Sequence, residues 1–366
     1  MSRVTRALAI VGTCAVLAGT IATNTALRRT PLVHAHYWVF ALLVPLGVTV
    51  VVAGSLIHLI RGRRPLSARA AVALACVAGA ALAAGWPAFG MGDGWSIDVA
   101  GGRRGYIVHL PPAASADTGD LPAVLLLHGF VQSPRGMRNL TDIERLADEA
   151  GFVVIYPKGT LRSWNDGDDT KPASKRNVDD LAFLAALVDS LPARHGVDPA
   201  RVYAIGFSNG GFLLVRHACA LAGPIAAFGI VAAGTYPVWD PDCRPGAPVP
   251  AAFILGAADP TLAPLNRRFE VAPDASAELW AHAYGCEDPD IGRAASDVGS
   301  ASVIHTWRRC PDGFEVHQIV VRGAGHAWPG GPQFLPPFLA GETTDALDAT
   351  GWLWDFFEST TAGRPR

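Results

Sequence analysis

From Trp95 onward the chain alternates short apolar runs with segments of helical length, and that alternation admits few architectures. Residues 106–110, 122–127, 152–156, 201–205, 226–231, 251–255 and 317–321 read as strands. Residues 142–150, 180–191 and 211–220 read as helices, the second carrying Leu181, Leu184, Leu187, Val188 and Leu191 at helical spacing. A closing helix is expected at about 343–357. Strands alternating with helices imply an α/β fold, a mostly parallel sheet covered on both faces. Residues 157–178, rich in Asp, Lys and Ser, read as a surface loop long enough to border a site.

The first quarter of the chain has a different character. Three apolar stretches, about residues 7–27, 37–60 and 70–89, are each long enough to cross a bilayer as a helix. The first could instead be a leader cut near Ala22-Thr23-Asn24. Residues 1–90 hold eight Arg (Arg3, Arg6, Arg28, Arg29, Arg61, Arg63, Arg64 and Arg69) and no Lys, Asp or Glu. Placing the N-terminus and the loop between the second and third stretches inside puts six of these arginines in the cytoplasm, the arrangement the positive-inside rule prefers. The expectation is a membrane segment over residues 1–92, in contact with the lipid bilayer, and a catalytic domain over 93–366 on the extracytoplasmic side. The later part carries 22 basic residues against 32 acidic ones, a balance that argues against a nucleic-acid partner, since phosphate binding needs clustered positive charge.

Of the six cysteines, Cys14 and Cys76 lie inside apolar runs and read as small hydrophobes. Cys219, Cys243, Cys286 and Cys310 lie in the polar part, none at metal-ligand spacing, and four cysteines allow three pairings. In a domain outside the cytoplasm they are expected as disulfides, and no metal is implied.

Gly206-Phe207-Ser208-Asn209-Gly210 matches G-x-S-x-G, directly after one strand and directly before a helix, which is the context a nucleophile elbow requires. A serine hydroxyl is a poor nucleophile until a base takes its proton. Among 11 histidines, His326 follows the strand ending near Val321 in a glycine-rich turn, from which a side chain reaches across the top of a sheet. Asp259 follows the run 251–255 and the turn Gly256-Ala257-Ala258, where an acid would fix the imidazole tautomer; an Asp there could equally cap the turn that follows it. The chain order Ser208, Asp259, His326 is that of α/β-hydrolases. Oxyanion donors are expected at the amide of Asn209, after the nucleophile, and at that of Phe130, or of Val131 beside it, in the loop after the strand 122–127. His128 reads as a brace for that loop. Trp164 and Trp328 are candidates to line a substrate cleft, though a Trp near a loop is as often packing.

Several segments resemble one known family. Leu127-His128-Gly129-Phe130-Val131-Gln132, Asn177-Val178-Asp179-Asp180-Leu181-Ala182-Phe183-Leu184, Gly206-Phe207-Ser208-Asn209-Gly210-Gly211, Gly256-Ala257-Ala258-Asp259-Pro260 and Gly325-His326-Ala327-Trp328-Pro329-Gly330 are similar to motifs of the poly(3-hydroxybutyrate) depolymerase and feruloyl esterase group of secreted hydrolases. The resemblance spans roughly residues 100–358 and implies an α/β-hydrolase fold and hydrolysis of carboxylic esters; an aromatic or polymeric ester is the expected substrate, and no cofactor is implied. It also implies the pairings Cys219–Cys243 and Cys286–Cys310. The chain departs from the family in its three apolar stretches and in Phe130, where the family often has Cys or a small residue. The same triad also serves peptidases and thioesterases, and a catalytically idle tethered binding domain is the reading from a different class.

Overall fold

The computed structural model describes residues 94–112, 120–216, 218, 225–234, 249–262, 275–287, 289–293, 302–307 and 309–362. The three apolar stretches before residue 92 and the Cys219–Cys243 pair lie outside these residues. Among the described residues no helix is long and apolar enough to cross a membrane.

Ten strands form one sheet among the described residues: β1 Trp95–Val99, β2 Gly102–His109, β3 Leu121–Leu127, β4 Val153–Pro157, β5 Val197–Phe207, β6 Ala227–Val231, β7 Ala251–Gly256, β8 Asp290–Arg293, β9 Ser302–Trp307 and β10 Val316–Val321. Their order is β1-β2-β4-β3-β5-β6-β7-β10-β9-β8. The stretch from β4 to β10 is parallel throughout, while β1, β2, β9 and β8 run antiparallel to their neighbours and close the two edges. With α5 following the strand β5, this is the α/β-hydrolase arrangement that the motif order implies. The α-helices among the described residues are α1 Pro134–Thr141, α2 Ile143–Ala150, α3 Pro172–Lys175, α4 Asp180–His195, α5 Asn209–Arg216, α6 Ser276–Ala283, α7 Pro337–Ala340 and α8 Ala349–Ala362.

Strands β3, β4, β6 and β7 carry no charged or amide side chain because both of their faces are covered. In β3, Leu125 and Leu127 pack against α4 and α5, whereas Val124 and Leu126 pack on the opposite side with Met137, Leu140 and Leu353. The strand alternation thus divides the core into two clusters, one under α4, α5 and α6 and the other under α1, α2 and α8. Because β4 lies on one side of β3 and β5 on the other, the strand order reverses at β3, the position at which parallel sheets generally bind ligands beyond the C-terminal ends of their strands.

Three differences from the sequence reading have physical causes. The edge strands β1, β8 and β9 carry no long apolar run, so periodicity does not announce them. The closing helix begins at Ala349 and not near Thr343, because Thr343 N–H is taken by Gln333 Oε1 at 2.7 Å and the Asp348 carboxylate accepts from Thr350 and Gly351 N–H at 3.1 and 3.2 Å, an N-terminal cap. The helix expected from residue 142 is preceded by another, α1, whose end at Asp142 adopts a left-handed conformation.

Candidate active site

Ser208 sits between β5 and α5 with φ +51°, a conformation uncommon for a residue with a side chain. It is held there by its own amide, which donates to Val231 O at 2.9 Å, and by Phe212 N–H, which donates to Ser208 O at 2.9 Å. Gly206 is required by close approach: a Cβ there would lie 2.5 Å from Gly210 O and Gly211 N. The turn therefore folds back on its own strand, and Ser208 Oγ stands at the C-terminal edge of the sheet.

His326 reaches the serine from the turn after β10. Its Nε2 lies 2.8 Å from Ser208 Oγ and its Nδ1 lies 2.7 Å from Asp259 Oδ2. The acceptor-only carboxylate at Nδ1 places the ring proton there and leaves Nε2 to accept from the serine hydroxyl. The backbone fixes the ring as well, since His326 N–H donates to Ala340 O at the end of α7. Asp259 performs both roles that its position suggests. One oxygen faces His326, while Oδ1 accepts from Thr261 N–H at 2.7 Å and Leu262 N–H at 3.0 Å, capping the turn after β7. Three other acids near this part of the sequence, Asp240, Asp242 and Asp288, lie outside the described residues.

The loop after β3 rests on the elbow: a Cβ at Gly129 would stand 3.3 Å from Ser208 Cβ. Phe130 N–H has no acceptor among the described residues, as an oxyanion donor requires, whereas Val131 N–H is committed to Arg162 O at 2.8 Å. The amide of Asn209 belongs to the first turn of α5, where N–H groups have no intrahelical acceptor. His128 is buried, and its ring bridges two loops, Nδ1 donating to Gly129 O at 2.8 Å and Nε2 accepting from Gly159 N–H at 3.0 Å. Burial holds its pKa down at about 4, so the ring is neutral near pH 7, as the accepting Nε2 demands.

The two tryptophans do not line an open cleft. Trp164 is 0% exposed and Trp328 is 1% exposed. Each is spent on packing and on one indole hydrogen bond, Trp164 Nε1 to His128 O at 2.8 Å and Trp328 Nε1 to Thr350 Oγ1 at 3.0 Å. Among the exposed apolar side chains are Phe130, Val131 and Leu161, in loops joined by Val131 N–H to Arg162 O, and Phe338 and Leu339 of α7, the helix whose Ala340 O holds His326 N–H. Cys286 and Cys310 are joined by a disulfide, which ties the end of α6 to the segment after β9, away from these side chains.

Sequence reasoning misses a set of buried polar residues behind the elbow. The side chain of Asn209, as distinct from its amide, holds Trp164 and Asp166, and Asp166 is paired with Lys171. Arg104 pairs with Asp180, whose other oxygen accepts from Asn165 N–H at 2.7 Å. The Asp- and Lys-rich composition of residues 157–178 is the signal that points toward them, but composition does not say which charges are buried.

Comparisons with known proteins identify the family. The family model described as Esterase PHB depolymerase matches residues 104–237, a stretch that includes Ser208. The protein named "Putative esterase NocK" from Nocardia uniformis subsp. tsuyamanensis is 31% identical over 282 residues, covering 71% of this chain and 80% of that protein. The "Bifunctional acetylxylan esterase/xylanase XynS20E" of Neocallimastix patriciarum is 26% identical over 267 residues, 66% of this chain but only 35% of that protein's length. Among solved structures, the acetyl xylan esterase from Aspergillus awamori superposes with a TM-score of 0.48 at 15% identity, covering 64% of this chain and 94% of that one. Identity of 31% sustained over four fifths of a relative, together with a family model that spans the elbow, shows that this chain belongs to the esterase PHB depolymerase family.

Proposed function

We propose that this carboxylic ester hydrolase works through an acyl-enzyme on Ser208. His326 takes the hydroxyl proton as Ser208 Oγ bonds to the ester carbonyl carbon, and the negative charge moves to the carbonyl oxygen. The amides of Phe130 and Asn209 are placed to receive that charge. The tetrahedral species collapses, the alkoxide leaves with the proton from His326, and water repeats the sequence to release the acid. Asp259 orients the imidazole and stabilises its charged form. The observation that carries this reading is the continuous relay Ser208–His326–Asp259, with both contacts under 3 Å.

The substrate reading rests on the exposed apolar rim of Phe130, Val131, Leu161, Phe338 and Leu339, which suits an apolar, aromatic or polymeric acyl group better than a charged one. A peptidase or thioesterase is less well supported, because the family and its relatives are esterases. The apolar stretches before residue 92 support a membrane-tethered enzyme whose catalytic domain faces outward. Labelling the full-length chain with a fluorophosphonate, followed by peptide mapping, tests the nucleophile. The adduct is expected on Ser208, and an unlabelled Ser208 in folded protein would refute the mechanism.

A further inference from the structure

Behind the elbow lies a chain of buried polar groups that no step of the acyl transfer uses directly. Lys171 Nζ pairs with Asp166 Oδ2 at 2.9 Å and with Asp168 Oδ2 at 2.8 Å, and the side chain of Asp166 is wholly buried. The same Asp166 oxygen accepts from Asn209 Nδ2 at 2.7 Å. Asn209 Oδ1 accepts from Trp164 N–H at 2.8 Å, and Asn209 Nδ2 also donates to Trp164 O at 3.2 Å. Trp164 in turn donates its indole N–H to His128 O. This path begins at a charge pair and ends on both loops that carry the oxyanion amides. Asn209 is one donor itself, and His128 stands two residues before the other, Phe130.

We propose that Lys171 and Asp166 form a positioning pair for the oxyanion hole, holding the amides of Asn209 and Phe130 in register through Asn209 and Trp164. The inference rests on the acyl-enzyme reading given above. An ionised carboxylate only accepts, so Asp166 admits one orientation of the Asn209 amide, with Nδ2 toward the carboxylate and Oδ1 toward Trp164 N–H. A buried ion pair adds little net stability over apolar residues of the same volume, whereas orienting an amide needs its charge. Two donors that must meet one oxygen lose much of their effect when either shifts by a fraction of an ångström, and a brace common to both loops prevents this.

The test uses the full-length chain, with p-nitrophenyl acetate as substrate and phenylboronic acid as a probe of the tetrahedral state. Ser208 Oγ adds to the trigonal boron, its proton passes to His326, and a boronate oxygen occupies the oxyanion position. The double variant Asp166→Asn/Lys171→Met removes both charges of the pair; Asp168 loses its lysine in this variant but keeps the bond from Thr170 N–H at 3.0 Å. It is expected to lower kcat roughly 10- to 100-fold and to weaken phenylboronic acid by a similar factor, with KM changed less than about twofold. Lys171→Arg, which keeps the charge, is expected to restore both values toward those of the unmodified protein. Trp164→Phe keeps an aromatic ring, though a smaller one, and removes the indole N–H that reaches His128 O; it should show the same signature, so it decides the matter if the double variant does not fold. A fall in melting temperature with kcat and boronate affinity unchanged would overturn the positioning role, as would a loss confined to KM. If instead the unmodified protein ignores phenylboronic acid, or Ser208→Ala retains turnover, it is the acyl-enzyme reading that fails.

Discussion

His326 Nε2 and Ser208 Oγ lie 2.8 Å apart although 118 residues separate them in the chain, and the two strands that deliver them, β10 and β5, are not neighbours. Strands β6 and β7 stand between, and β7 supplies Asp259 at the same end of the sheet. A parallel sheet makes this meeting possible, because every strand from β4 to β10 ends on one side and the loops that follow are brought to a common edge.

The relay predicts a specific ranking of losses. Ser208→Ala and His326→Ala should each lower ester turnover by several orders of magnitude and leave the thermal unfolding midpoint nearly unchanged, since nucleophile and base act as one unit. Asp259→Asn should cost less in turnover but more in stability, because Asp259 also caps the turn at Thr261 and Leu262. Steady-state kinetics alongside melting curves would check this. Near-normal turnover in Ser208→Ala would remove the assignment.

Gly206→Ala separates backbone strain from chemistry. The added methyl would meet Gly210 O and Gly211 N at 2.5 Å, and both are backbone atoms that cannot rotate away. A stability loss of about 1–3 kcal/mol is expected, with turnover falling further than the folded fraction does, because relief of the clash tilts the elbow. An alanine variant with unchanged melting and turnover would mean the elbow is looser than its geometry indicates.

How far the site is legible in the sequence follows from the same distinction between backbone pattern and side-chain partners. Ser208, Asp259 and His326 each follow an apolar run and a glycine-rich turn, and a parallel sheet allows such positions to meet, so order and context suffice to bring them forward. Asp166 and Lys171 carry no such mark: they lie in a loop whose polar composition reads as solvated, and only the fold shows that Asn209 and Trp164 cover them. Trp164 errs in the opposite sense, since a Trp in the long polar loop suggests a cleft wall whereas its indole N–H is satisfied inside the core. The edge strands are absent from the sequence reading because half-exposed short strands lack the apolar run that marks the central ones.

His128 makes stability depend on pH. Its folded-state pKa is lowered by burial to about 4, whereas the unfolded chain has the ordinary value near 6.5. Between these values the unfolded state binds more protons, so stability should fall as pH drops from about 6.5 toward 4, by at most about 3 kcal/mol, and be recovered as pH rises. Asp166 and Asp180, raised by burial against the pull of Lys171, Asn165 and Arg104, work in the opposite direction. Melting temperatures from pH 7 to pH 5 should therefore fall more steeply in the unmodified protein than in His128→Gln. Parallel curves would assign the acid sensitivity to another group.

The Cys286–Cys310 disulfide closes a loop with a sequence separation of 24 and touches neither Ser208 nor its partners. Reduction should lower stability by about 3 kcal/mol through the freedom regained by the unfolded chain, while turnover at a temperature where the reduced protein is still folded stays near normal. The same bond bears on the outward orientation proposed above, because a lasting structural disulfide forms in an oxidising compartment. Peptide mapping of non-reduced protein taken from native membranes should find Cys286 linked to Cys310 and, as the family resemblance implies, Cys219 linked to Cys243. Protease added to intact cells should reach the catalytic domain. Four free thiols in that preparation, or a domain sheltered from external protease, would refute the outward orientation and leave the hydrolytic mechanism standing on Ser208, Asp259 and His326, which depend on neither bond.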